Sequence, residues 1–97
     1  MARKKLSKGW KEGTVQELLG LTDEEAAIVE MRVRLAERVR ERRRSQRITQ
    51  KDLARRMRST QPRVARLEQA DASIEMLMRA LFTLGADRKE IAKLLAA

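Results

Sequence analysis

Between Gln61 and Gln69 the chain reads Gln-Pro-Arg-Val-Ala-Arg-Leu-Glu-Gln, and two of its three polar residue types, Gln and Arg, hydrogen-bond base edges in pairs. A glutamine amide can bridge N6 and N7 of adenine, and an arginine fork can bridge O6 and N7 of guanine. If this stretch is helical, Val64 and Leu67 point one way, toward a core. Pro62, Ala65, Arg66 and Gln69 then occupy the opposite face, with Gln61 at its leading edge. Arg63 lies on the flank, suited to a phosphate or an outer base. Small residues beside Gln and Arg permit the close approach that a major groove demands. The competing explanation is an ordinary solvated helix face.

Charge and composition narrow the chemistry. The chain has 97 residues, room for one compact domain, and 23 Lys and Arg against 14 Asp and Glu give a net charge of +9. Residues 1–13 carry +4 and residues 45–70 carry +5, while the remaining segments balance. A charge concentrated at two places implies a polyanionic partner there. Cysteine, histidine and tyrosine are absent, so disulfides, Cys/His zinc sites and nucleophiles paired with imidazole or thiol are excluded. One Trp and one Phe make a stacking platform for single-stranded bases unexpected. No run approaches the ~18 apolar residues of a membrane span, and no apolar stretch follows the basic N-terminus as in a signal peptide. The expectation is a cytoplasmic protein, nucleoid-associated when bound to DNA.

A reading helix must be held by others, and the spacing predicts them. Thr49 can cap a short helix running to Met57, with Leu53, Ala54 and Met57 inward. Residues 58–60 turn the chain, Thr60 can cap the helix 61–69, and Pro62 falls in its first turn, where a missing N–H costs little. Upstream, Thr22 with Glu25 has capping-box spacing and opens one long helix from Asp23 to about Arg44. The acidic triplet Asp23–Glu25 suits the positive end of that helix and needs no bound cation, and Arg42–Arg44 suit its negative end. Its apolar stripe is Ile28, Met31, Leu35, Ala36 and Val39, with Val29 and Val33 as a second stripe ~100° away. The first half is expected to pack on residues 14–21, on the last helix or on a second copy. Ser73 opens a helix with Ile74, Leu77, Leu81 and Leu84 inward, stopped by Gly85. Asp87 with Glu90 starts a final helix carrying Ile91, Leu94 and Leu95. Thr14 with Glu17 starts a short helix ending at Gly20, preceded by a basic, flexible arm over residues 1–13. No segment alternates as a strand would, so the fold class is all-α, with one domain over 14–97 and a helix-turn-helix at 49–69.

The residues carry a resemblance beyond this geometry. Ile-Thr-Gln-Lys-Asp-Leu-Ala-Arg-Arg-Met (48–57) and Arg-Ser-Thr-Gln-Pro-Arg-Val-Ala-Arg-Leu-Glu (58–68) closely resemble the XRE (Cro-type) helix-turn-helix family. The likeness covers roughly Val33 to Leu84, with LAERVRERR matching the family's first helix. The stretch VQELLGLTDEEAAIVEMR, residues 15–32, is similar to the subfamily that includes HigA-like antitoxins. The resemblance implies a lambda-repressor-like bundle of about five helices, here extended by the short N-terminal helix and the arm. It assigns base reading to Gln61, Pro62 and Arg66, beside Arg63 and Gln69 from the helical wheel, and sets Gln50 with its backbone N–H over a phosphate. Lys51, Arg58, Thr60 and the Arg42–Arg44 run, Arg44 in particular, add phosphate contacts nearby. It also implies a partly buried ion pair between Arg43 and Glu68 that orients the reading helix. Three positions depart from the pattern: Arg47, Arg58 and Ala70 stand where the family commonly has glycine. A left-handed backbone costs a non-glycine residue ~1–2 kcal/mol, so other dihedrals are expected at these turns.

The function these features imply is sequence-specific binding of double-stranded DNA by a transcriptional regulator, as a repressor and a homodimer on an inverted repeat. One nine-residue helix reads too few bases, and two copies about one helical turn apart double the site. The candidate dimer surfaces are Val29 with Val33, the cluster Met76, Met78 and Phe82, and the last helix. The alternative is an antitoxin that neutralises a HigB-like toxin and represses its own operon. A membrane-surface helix fits poorly, because acids are interspersed along the long helix. No activated nucleophile or perturbed general base stands out, so neither catalysis nor a cofactor or metal is expected.

Overall fold

In the computed structural model, which describes residues 12–97, six helices follow one another: α1 (Glu12–Leu19), α2 (Asp23–Ser45), α3 (Gln50–Arg56), α4 (Gln61–Glu68), α5 (Ile74–Thr83) and α6 (Arg88–Ala96). Among the described residues there is no strand. The arm residues Arg3, Lys4, Lys5 and Lys8 lie outside the described residues. α1 begins at Glu12, two residues ahead of the expected start at Thr14, so Glu12 and Gly13 belong to the helix and not to an arm.

Each later helix opens on a side chain that satisfies backbone donors the helix cannot satisfy itself. The Thr22 hydroxyl accepts from the Glu25 N–H at 3.1 Å, and the Glu25 carboxylate accepts from the Thr22 N–H at 2.9 Å. Thr49 and Asp52 form the same reciprocal box at 3.0 and 3.3 Å. Thr60, Ser73 and Asp87 cap α4, α5 and α6 through the N–H groups of Arg63, Met76 and Glu90.

The helix ends are equally uniform, and here one sequence expectation is overturned. Arg47, Arg58 and Ala70 all adopt the left-handed conformation, with φ of 58°, 56° and 66°, as do Gly20 and Gly85. In each case the next residue's N–H returns to a carbonyl five positions back: Leu21 to Gln16, Ile48 to Arg43, Ser59 to Ala54, Asp71 to Arg66 and Ala86 to Leu81. This double-bonded helix stop needs a left-handed residue at the position before the returning N–H. Only four residues separate α2 from α3 and four separate α3 from α4. So short a link reverses the chain within this motif, and the returning bond together with the buried Ile48 outweighs the side chain's preference.

α2 is the spine. It packs most extensively against α5, then α6 and α4, while α3 packs on α4 and α5. Leu35 and Val39 of α2, Leu53 of α3, Val64 of α4 and Leu77 and Leu81 of α5 are completely buried and form the core with Ile91 of α6. Met76 and Met78 pack half-buried on this core, so they fill it and do not form an exposed patch. The expected inward stripe of α2 holds only from Leu35 onward. Ile28 is 42% exposed, because the first half of the helix extends past the bundle. α2 spans ~34 Å at 1.5 Å per residue, most of the molecule's 45 Å length. α1 does not cover that extension, and its Leu18 is 79% exposed.

Candidate nucleic-acid interface

α3 and α4 are joined by Met57–Thr60 and pack on each other with Leu53, Ala54, Val64 and Leu67 between them. Pro62 occupies the first turn of α4, where no intrahelical N–H is lost. Burying Val64 and Leu67 fixes which side of α4 faces out: Gln61, Pro62, Arg63, Arg66 and the C-cap Gln69 are all exposed, and Ala65 is half-buried beside them. The outward face therefore carries two amides and two guanidiniums on a helix that nothing else in the described chain covers. Lys51, Arg58, Thr60 and Arg44 are likewise exposed, and none of these three basic residues forms an ion pair among the described residues.

Glu68, at the last turn of α4, is buried and held from three sides. Arg43 of α2 donates through Nε to Oε2 at 2.5 Å and through Nη2 to Oε1 at 3.1 Å. Its Nη1 donates to the Ile48 carbonyl at 2.9 Å, which ties the pair to the α2–α3 junction. Gln50 donates to Glu68 Oε1 at 3.1 Å, and Arg40 donates to the Glu68 carbonyl at 3.1 Å. A two-point guanidinium–carboxylate contact fixes direction as well as distance, so it sets the angle of α4 on α2.

The contacts run on from that pair to the exposed face. Gln61 Nε2 donates to Gln50 Oε1 at 2.6 Å, so Arg43, Glu68, Gln50 and Gln61 form one hydrogen-bonded chain from the interior to the tip of α4. The side chain of Gln50, which the family likeness sets over a phosphate, is here engaged at both ends within the protein. Its helix-start N–H groups remain at the exposed end of α3. Gln61 is thereby oriented before any ligand arrives.

The Arg42–Arg44 run does not act as a unit. Arg43 turns to Glu68, and Arg42 donates to Glu90 of α6 at 2.5 and 3.0 Å and to the Leu84 carbonyl at 3.0 Å. Only Arg44 is left facing solvent. Arg38 also donates to Glu90, at 2.5 Å. The hydrogen bond from Arg42 above all, then that from Arg38, holds the Glu90 carboxyl at a pKa of about 2 despite partial burial. The guanidiniums of Arg38 and Arg42 are correspondingly raised by their bonds to Glu90. The sequence marks Glu90 only as part of a helix start, with Asp87 as its cap. The available signal was the i, i+4 spacing of Arg38 and Arg42, two like charges on one face that call for an acid across from them. Asp52 is lowered by the hydrogen bond from Arg55, then by its cap bonds with Thr49.

Residues 18–91 match the family model of a helix-turn-helix domain, more than half of the chain, and the protein belongs to that helix-turn-helix domain family. Neither curated proteins nor solved structures give a match. Among the described residues no helix is long and apolar enough to cross a membrane.

Proposed function

We propose that the chain is a sequence-specific regulator of transcription that binds double-stranded DNA in the major groove through α4, as a homodimer on an inverted repeat, and represses. The observation that carries this reading is the uncovered face of α4, with Gln61 held in place by Gln50. In this reading Gln61, Pro62, Arg66, Arg63 and Gln69 meet base edges. The start of α3 at Gln50, with Lys51, Arg58, Thr60 and Arg44, meets phosphates, and these contacts fix register without selecting sequence. The chain then acts at the nucleoid in the cytoplasm, without cofactor or catalytic step.

Selection of bound duplexes from a random pool, repeated with Gln61→Ala and Arg66→Ala, tests it. Each variant is expected to lose preference at one or two base positions at a cost of about 1–3 kcal/mol. With about six phosphates neutralised per protomer, each protomer contributes a slope near −5 to log K against log salt, about −11 for the dimer, and Arg44→Ala in both protomers shallows it by about 2. A uniform weakening by Gln61→Ala and Arg66→Ala, with no change in preference, sinks the base-reading assignment.

A second reading, an antitoxin that also binds a toxin protein, is favoured by α1, whose Leu18 and Leu19 are exposed on a helix that DNA binding does not need. Co-purification of a small basic RNase through those leucines, abolished by Leu18→Glu, is its test.

A further inference from the structure

The first half of α2 leaves an apolar edge uncovered. Ile28, Val29 and Val33 are 42%, 39% and 41% exposed, although the same helix completely buries Leu35 and Val39 two turns on. Two charged residues frame this edge. On the helical wheel Glu25 and Arg32 both fall between Ile28 and Val29, one a turn before them and the other a turn after. Arg32 makes no ion pair among the described residues, and its Nε is buried with no hydrogen-bond partner. Arg34, Arg38, Arg42 and Arg43 of the same helix each have a carboxylate.

We infer that a second copy of this chain covers the edge, the two α2 helices packing antiparallel about a two-fold axis between Ile28 and Val29. The inference rests on the homodimer reading above and names the surface that makes the dimer. Antiparallel packing about that axis sets Ile28 opposite the partner's Val29 and Glu25 opposite the partner's Arg32. By symmetry Arg32 faces the partner's Glu25. One patch thus covers its own apolar centre and pairs its two charges twice, as an isologous contact requires. Parallel packing in register sets Glu25 beside the partner's Glu25 and Arg32 beside the partner's Arg32, a like-charge arrangement that is disfavoured. Glu25 Oε1 is occupied by the Thr22 N–H, and its second oxygen has no partner among the described residues.

The test is a charge exchange read by sedimentation of the full chain over a range of concentrations, with Glu25→Arg, Arg32→Glu and the double variant. Each single reversal is expected to weaken the dimer about tenfold or more, and the double variant to recover to within about threefold of the parent. Thermal melts separate dimer loss from unfolding, since Glu25 also caps α2. The parent has no cysteine, so a mixture of Ile28→Cys and Val29→Cys chains is expected to cross-link under oxidation while Phe82→Cys does not. A parent that stays monomeric, single reversals without effect, or cross-linking through Phe82 alone would overturn the seam. So would a dimer appearing only after deletion of residues 1–11, because that segment would then be the cover. Duplex binding is measured in parallel. Monomeric variants that still bind a half-site leave the DNA reading standing, whereas a dimeric parent that ignores DNA leaves the seam standing without it.

Discussion

Two glutamates in this protein are each gripped by arginines of α2, yet they are placed very differently. The Glu68 side chain is 3% exposed and meets one arginine, Arg43, itself 12% exposed. Glu90 is 19% exposed and meets two, Arg38 and Arg42, at the edge of the solvent. Counting arginines on the carboxylate ranks Glu90 higher, but burial ranks Glu68 higher, and burial decides the energetics. A carboxylate taken fully out of water has no substitute for its partner if that partner is removed, whereas one at the boundary falls back on solvent. The two clamps also hold different things: Glu68 sets the angle of the helix bearing Gln61 and Arg66, and Glu90 ties α6 to the spine.

The largest expected effect follows from that ranking. Glu68→Gln leaves the Arg43 guanidinium buried without its counter-charge, and chemical denaturation is expected to show a loss of about 3–5 kcal/mol. Replacing both partners with apolar residues of similar volume is expected to recover much of it. A loss under about 1 kcal/mol for Glu68→Gln would make the pair no different from a surface contact and erase the comparison. Glu90→Gln is expected to cost less, about 1–2 kcal/mol near neutral pH, because water and salt screen the group. Its signature is pH dependence. The folded pKa of about 2 lies below the ordinary value of 4.5, so the carboxylate's contribution is fully present above about pH 5. It is lost as pH falls toward about 2. Parent and Glu90→Gln stability curves should therefore converge across that window, and a constant gap between them would assign the difference to packing.

The two clamps also differ in how visible they were beforehand. The helix starts at Thr22, Thr49, Thr60, Ser73 and Asp87 are legible because a cap is decided within four residues. The outward side of α4 is legible because Val64 and Leu67 leave one face free. The Arg43–Glu68 pair came through likeness to other chains, not through spacing. Arg38 and Glu90 are 52 positions apart, so the i, i+4 pair Arg38 and Arg42 calls for an acid without saying which one. Periodicity sets Ile28 on the inward stripe, yet it identifies only a face of a helix and not whether anything lies against it. Arg47, Arg58 and Ala70 were expected to avoid positive φ because single-residue preference was weighed without the returning hydrogen bond that the short links impose.

Those left-handed residues carry the contrast between the two regions further and yield the smallest predicted effects. The junction beside Glu90 uses Gly85, at φ +93°, with the Arg42 guanidinium on the neighbouring Leu84 carbonyl. The junctions on either side of Glu68's clamp use Arg47 and Ala70 in the same region of dihedral space, where a Cβ crowds the backbone. Strain is thus held around the helix that presents Gln61 and Arg66 and is absent from the scaffold end. Glycine at position 47 or 70 relieves that crowding but frees the unfolded chain as well, so the two effects partly offset. Arg47→Gly and Ala70→Gly are each expected to raise stability by about 0.5–1 kcal/mol, read as a higher denaturation midpoint at unchanged slope. Gly85→Ala is expected to lower it by about 1 kcal/mol, since a Cβ there has room, its nearest neighbour being Arg42 Nη1 at 3.7 Å, and only the dihedral objects. Equal and opposite changes at the two ends would locate the strain in the left-handed residues themselves. A neutral Arg47→Gly would mean that its side chain repays the conformation through charge, and the same variant's duplex binding would then show a shallower salt slope.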